Sequence, residues 1–148
     1  MKITSRWISV VALAGAVFIF AACRSEWKQA KNYESQGQWQ EAQKLLEKLV
    51  EEKPDDPILH NELGYVLQKR GYYDMALKQY DQAIRLDPYY VEAIYNRGTL
   101  QYKRRQVAKA GRDFEKVIKL DANFAKAYNN LGLLNHLFFD KPDKAVEY

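Results

Sequence analysis

Residues 57–90 read PILHNELGYVLQKRGYYDMALKQYDQAIRLDPYY, and residues 91–124 read VEAIYNRGTLQYKRRQVAKAGRDFEKVIKLDANF. Laid over one another, the two stretches place small and apolar residues in common columns. Gly64 falls over Gly98, Ala76 over Ala110, Tyr80 over Phe114 and Pro88 over Ala122. The first stretch predicts one helix from Ile58 to Lys69 and a second from Tyr73 to Leu86, with Arg70-Gly71 turning between them. Gly64 and Ala76 are small where the two helices cross, so the backbones can approach closely. Tyr80 and Leu86 fall on the apolar stripe, with Ala83 filling between them. Pro88 stops the second helix and angles the chain into the next unit.

The same columns extend outward at a spacing of 34 residues. Leu63-Gly64, Arg97-Gly98 and Leu131-Gly132 repeat, as do Ala42, Ala76 and Ala110. Pro54 pairs with Pro88, Gly37 with Gly71, Trp39 with Tyr73, and Leu46 joins Tyr80 and Phe114. A fixed period of this length is the mark of a repeat architecture. The pattern resembles the tetratricopeptide repeat, with its Leu-Gly step, later Ala, aromatic residue and closing Pro. That resemblance implies an all-α solenoid of helix-turn-helix units, about three and a half of them. The units are 23–56, 57–90, 91–124 and 125–148. The first is divergent, with Gln29-Ala30 in place of Leu-Gly. The fourth is incomplete and carries an extra residue near Asp140-Lys141-Pro142, which moves its Ala to Ala145. It halts at Tyr148, early in a second helix, which points either to a fragment of a longer protein or to an edge covered by another molecule.

Residues 1–22 form a separate segment. Lys2 and Arg6 precede sixteen uncharged residues, WISVVALAGAVFIFAA, too short for a comfortable membrane span and suited to a secretory signal. The segment ends Phe20-Ala21-Ala22-Cys23, which resembles a bacterial lipoprotein signal. That resemblance implies lipid on the Cys23 thiol, a cut before Cys23 and acylation of the new N-terminus. Several acyl chains on one residue give stable anchoring where one does not. The competing reading is an uncleaved signal anchor with a free thiol. Arg24, in place of Asp, leans toward an outer membrane where the organism has one.

Composition excludes several classes. The chain has 148 residues and a formal charge of +4; without Lys2 and Arg6 the balance is 21 basic against 19 acidic residues. That is no nucleic-acid footprint, which would need clustered Lys and Arg. One cysteine forbids an intrachain disulfide. Of the two histidines, His60 reads as a packing residue and His136 lies on the first helix of the last unit. No paired His, Cys or carboxylate cluster suggests a metal, and no phosphate loop or nucleophile elbow appears. The expectation is a non-enzyme with no cofactor beyond the covalent lipid.

Binding is the better reading. In the repeat family that this chain resembles, first helices line a concave groove. In register, that face carries Asn61, Tyr65 and Lys69, then Tyr95, Asn96, Thr99 and Tyr102, then Lys126, Asn130 and Leu133. Asn amides pair with an extended peptide backbone, and Tyr rings give flat area with a polar tip. The plainer alternative is that these residues only solvate the surface. Some family members clamp a C-terminal carboxylate with five Lys, Asn and Arg residues. Here only Asn96 and Lys126 match, while Asn61, Tyr65 and Asn130 depart. The other register, through Trp27, Lys31, Glu62, Glu92 and Asn96, fits worse, so the clamp is rejected. The basic run Lys103-Arg104-Arg105, with Lys109 and Arg112, is either a contact for an anionic surface or a solvated helix end. The whole describes a membrane-tethered scaffold for a protein or peptide partner in the cell envelope, similar in organisation to pilotin-type lipoproteins and to repeat lipoproteins that scaffold peptidoglycan enzymes. The competing classes are a self-associating membrane-attached oligomer without a groove ligand and a soluble cytosolic adaptor.

Overall fold

The structure, a computed structural model, describes residues 25–134 and residue 136. The expected signal segment, Cys23, Arg24, the extra residue near Pro142 and the second helix expected from Lys144 lie outside the described residues. Within them the chain forms seven helices and no strand: α1 (25–35), α2 (Trp39–Glu52), α3 (Pro57–Lys69), α4 (Tyr73–Leu86), α5 (Val91–Lys103), α6 (Val107–Leu120) and α7 (Ala125–Leu134). They pack in sequence order, α2 on α3, α3 on α4, α4 on α5, α5 on α6 and α6 on α7, and α3 also touches α5. This is the expected all-α solenoid.

The period is written into the backbone of the joints. The residues before α2, α4 and α6 are Gln38, Tyr72 and Gln106, with φ/ψ of −82°/65°, −83°/63° and −85°/62°. Each donates its backbone N–H five residues back, to Tyr33, Leu67 and Gln101, at 2.8–2.9 Å. The preceding residue donates to Glu34, Gln68 or Tyr102 at 2.9–3.1 Å. This pair of bonds is a Schellman closure, which needs a left-handed residue at its apex. Gly37 and Gly71 occupy two apices at φ 71° and 85°, and Arg105 occupies the third at φ 60°. Helix α3 starts one residue before the expected Ile58, because Pro57 fits the first turn, where no N–H is required. Asp56 caps it, accepting from Ile58 N at 2.9 Å and Leu59 N at 3.4 Å.

Packing follows the columns. A Cβ added at Gly64 would lie 2.8 Å from the Tyr80 ring and 3.3 Å from the Ala76 carbonyl. At Gly98 it would lie 3.0 Å from Phe114 and from Asp113 Cβ. Leu46, Tyr80 and Phe114, the large residues of one column, are each fully buried. Ala30 fills the glycine place of the first unit and is also fully buried, so the divergent unit keeps the same crossing. One core joins the first two units and takes in Leu100 of the third. Two further clusters, around Phe114 with Leu134 and around Ile94 with Ala127, join the third unit to α7.

At Arg97 the column changes chemistry, since Leu63 and Leu131 stand at the equivalent places. Its guanidinium reaches Asp113 of α6 through two bonds, at 2.7 and 2.8 Å, and Asp81 of α4 at 2.7 Å. One side chain thereby ties three helices.

Candidate groove

The first helices of successive units, α1, α3, α5 and α7, line an open groove with a cavity of about 540 Å³. Asn61, Tyr65, Tyr95, Asn96 and Lys126 border it. Asn61 is buried and sits at the centre of a polar ladder. Its Oδ1 accepts from Asn96 Nδ2 at 3.0 Å, and its own Nδ2 donates to the Tyr90 hydroxyl at 3.4 Å. One rung further along, Asn130 Nδ2 donates to the Tyr95 hydroxyl at 3.2 Å. Asn61 and Asn96 are 35 residues apart, as are Tyr95 and Asn130, so each rung joins neighbouring units.

The aromatic walls are fixed from behind. Tyr95 stacks at an angle on Phe124, centroids 4.9 Å apart, and on Phe114 at 6.0 Å. Tyr65 meets Trp39 edge to face at 6.1 Å. Lys69 lies over the Tyr65 and Trp39 rings, its Nζ 5.1 and 5.8 Å from their centroids. Lys69 and Asn130 do not border the cavity. Thr99 returns its hydroxyl to the Tyr95 carbonyl at 2.9 Å. Tyr102 packs against the cluster of Val107, Ala110, Phe114 and Leu134, and Leu133 is exposed on α7. His60 is buried behind the groove, with Nε2 on the Pro54 carbonyl at 2.8 Å and Nδ1 on the Gln79 amide at 2.7 Å.

The cavity also holds residues that the sequence reading did not assign to it. Lys31 and Glu34 reach it from α1, Glu62 from α3 and Glu92 from α5, with Tyr90 and Phe124 from the joints. Lys31 Nζ bridges Glu34 at 2.9 Å and Glu62 at 2.6 Å. Partial burial works against the Lys31 ammonium, but its bonds to Glu62 and Glu34 outweigh that and raise its pKa above 10.5. Burial raises the Glu34 carboxyl above its ordinary 4.5 despite Lys31. Burial, reinforced by Glu62 and Glu92, pushes the Tyr90 phenol up to about 12. Lys31 stands where Tyr65 stands in the second unit, and in the sequence it figures, with Glu62 and Glu92, only in the rejected clamp register.

The basic run is partly engaged by the fold. Lys103 Nζ lies 4.6 Å from the Tyr73 ring centroid, and Arg104 pairs with Asp74. Among the described residues, no group of His, Cys, Asp and Glu could hold a metal ion, and no helix is long and apolar enough to cross a membrane.

Two family models described as Tetratricopeptide repeat match the chain, one over residues 28–91 and one over 92–123. No curated protein matches it. Among solved structures it is similar to the second TPR domain of human RPAP3 in complex with an HSP70 peptide (TM-score 0.71, 24% identity, 76% of this chain and 94% of that one). It is also similar to the Yersinia enterocolitica type III secretion chaperone SycD in complex with a peptide of the translocator YopD (0.74, 18%, 78% and 93%). A third is the Arabidopsis OM64 TPR domain (0.75, 16%, 78% and 96%). At these identities the likeness is one of fold.

Proposed function

Because the chain belongs to the tetratricopeptide repeat family, we propose that it is a non-catalytic adaptor that holds an extended segment of a protein partner in the groove of α1, α3, α5 and α7. We further propose that lipid on Cys23 tethers it to a bacterial membrane, so that the partner belongs to the cell envelope. The observation that carries the binding reading is the Asn61–Asn96 rung with Tyr65 and Tyr95 on either side. It puts spare amide donors and acceptors beside flat aromatic area, which is what an extended backbone requires. Structurally similar domains are recorded with peptides, from HSP70 in one case and YopD in another. The five-residue carboxylate clamp is not part of this proposal, since Glu34, Glu62 and Glu92 border the groove.

The test places a photo-crosslinking amino acid at Tyr65 in cells, with Glu115 on α6 as the control site. The expected result is a discrete adduct from position 65 that disappears with Tyr95→Ala plus Asn96→Ala and is not formed from position 115. Adducts indifferent to the groove substitutions would overturn the binding reading. Labelling with a fatty-acid analogue tests the tether separately: incorporation lost in Cys23→Ser supports it, and incorporation unaffected by that change, or absent, overturns it.

A further inference from the structure

Glu34 of α1 and Glu62 of α3 come from neighbouring units and converge on one ammonium, Lys31 Nζ. The Glu34 side chain is only 8% exposed, whereas Lys31 is 43% exposed. Glu34 uses one oxygen, Oε2, on Lys31; its other oxygen, Oε1, is buried and has no hydrogen-bond partner. A buried acceptor left without a donor is unfavourable. An ammonium is a point charge with three donors, while a guanidinium is a planar fork with five that matches a carboxylate two bonds at a time. The place that Lys31 fills is therefore incompletely satisfied by an ammonium and suits a guanidinium.

Lys31 sits on a flexible stem, and in its bridging position its Nζ also lies over the Trp27 ring, 5.7 Å from the centroid. An aromatic face attracts a guanidinium at least as well as an ammonium. Glu92 borders the same cavity, so three acids face two lysines there and the local field favours a cation.

We propose that the Glu34–Glu62 pair is a receptor for one arginine side chain of the partner segment, and that Lys31 is the internal cation this arginine displaces. This rests on the groove reading above and names the chemistry of its occupant. The exchange conserves charge, so entry does not strand bare carboxylates in the groove. Selectivity comes from Glu34 Oε1, which only a forked donor reaches together with Oε2.

The test uses the 148-residue chain in detergent micelles, labelled with ¹⁵N, and four capped nonapeptides of Gly and Ser that carry Arg, Lys, Gln or Glu at the centre. Backbone amide shifts report site and affinity. The expected result is that the Arg peptide shifts residues around Glu34, Glu62 and Tyr90 and binds at least fivefold tighter than the Lys and Gln peptides, with the Glu peptide weakest. Glu34→Gln should erase the Arg preference and leave the Gln peptide unchanged, and Lys31→Met should tighten the Arg peptide severalfold. Glu62→Gln is the second variant, should the first not fold. Four peptides that bind the groove alike, or an Arg preference that survives both Glu substitutions, would overturn the receptor and leave the groove reading standing. No shift at Tyr65, Tyr95 or Asn96 with any peptide would overturn both.

Discussion

The side-chain amide of Asn96 donates to Asn61 Oδ1 across 3.0 Å, joining α5 to α3 where the two helices face the groove. Asn61 is 4% exposed, so this bond lies at the floor of the groove. Asn61→Ala removes the acceptor for Asn96 and the donor to Tyr90 together. Leaving such groups without partners costs about 1–3 kcal/mol. Urea unfolding should show a loss in that range, and Asn61→Asp should lose at least as much, because it buries a carboxylate beside Glu62 and in the field of Glu34 and Glu92.

Arg97 and Asp113 form a largely buried pair, with side chains 22% and 8% exposed. Removing one partner of such a pair strands the other, at about 3–5 kcal/mol. Arg97→Ala should reach the lower end of that range, since Arg97 retains some contact with water. Leu63 and Leu131 stand at its place in neighbouring units, while Gln79 and Leu45 stand at the place of Asp113. Arg97→Leu combined with Asp113→Leu should therefore recover most of the loss, measured as the coupling in a double-mutant cycle.

Arg105 holds φ 60° where Gly37 and Gly71 hold 71° and 85°. A side chain in that region costs about 1–2 kcal/mol, and the greater freedom of glycine in the unfolded chain returns part of the difference. Arg105→Gly should stabilise by about 0.5–1 kcal/mol, raising the melting temperature by a few degrees. Gly71→Arg should lower it by a similar amount. Calorimetry of both variants checks the pair.

The Glu34 carboxyl titrates above its ordinary 4.5 in the folded chain. The folded state therefore keeps this proton to a higher pH than the unfolded state does. The stability from this group is fully present below pH 4.5 and is lost as pH rises through the folded value. Unfolding of the wild type compared with Glu34→Gln, across that window, should show the wild type falling relative to the variant as pH rises. A difference independent of pH would contradict the shift.

Much of the solenoid is legible because the two middle units meet the same steric problem at the same column. Gly64 under Tyr80 and Gly98 under Phe114 leave no room for a side chain, and composition alone reveals such a place once the period is known. The groove is less legible, because helix register says which residues share a face but not where each side chain ends. Tyr95 and Tyr102 share a helix and pack against the same core cluster, yet only Tyr95 borders the cavity. Lys31 and Glu34 escaped assignment for a different reason. Their partner, Glu62, lies in the next unit, and contacts across units depend on the angle between helices.

That angle passes through Lys53, Asp87 and Asp121, the residues that close α2, α4 and α6, whose φ values of −136°, −133° and −137° agree to within a few degrees. Curvature is thus an inherited property of the joints, while recognition is an acquired property of the faces between them. A lineage can lengthen such a chain by copying a 34-residue cassette, and the new module arrives already bent to the right arc. Its lining is then free to diverge toward another ligand without renegotiating the architecture.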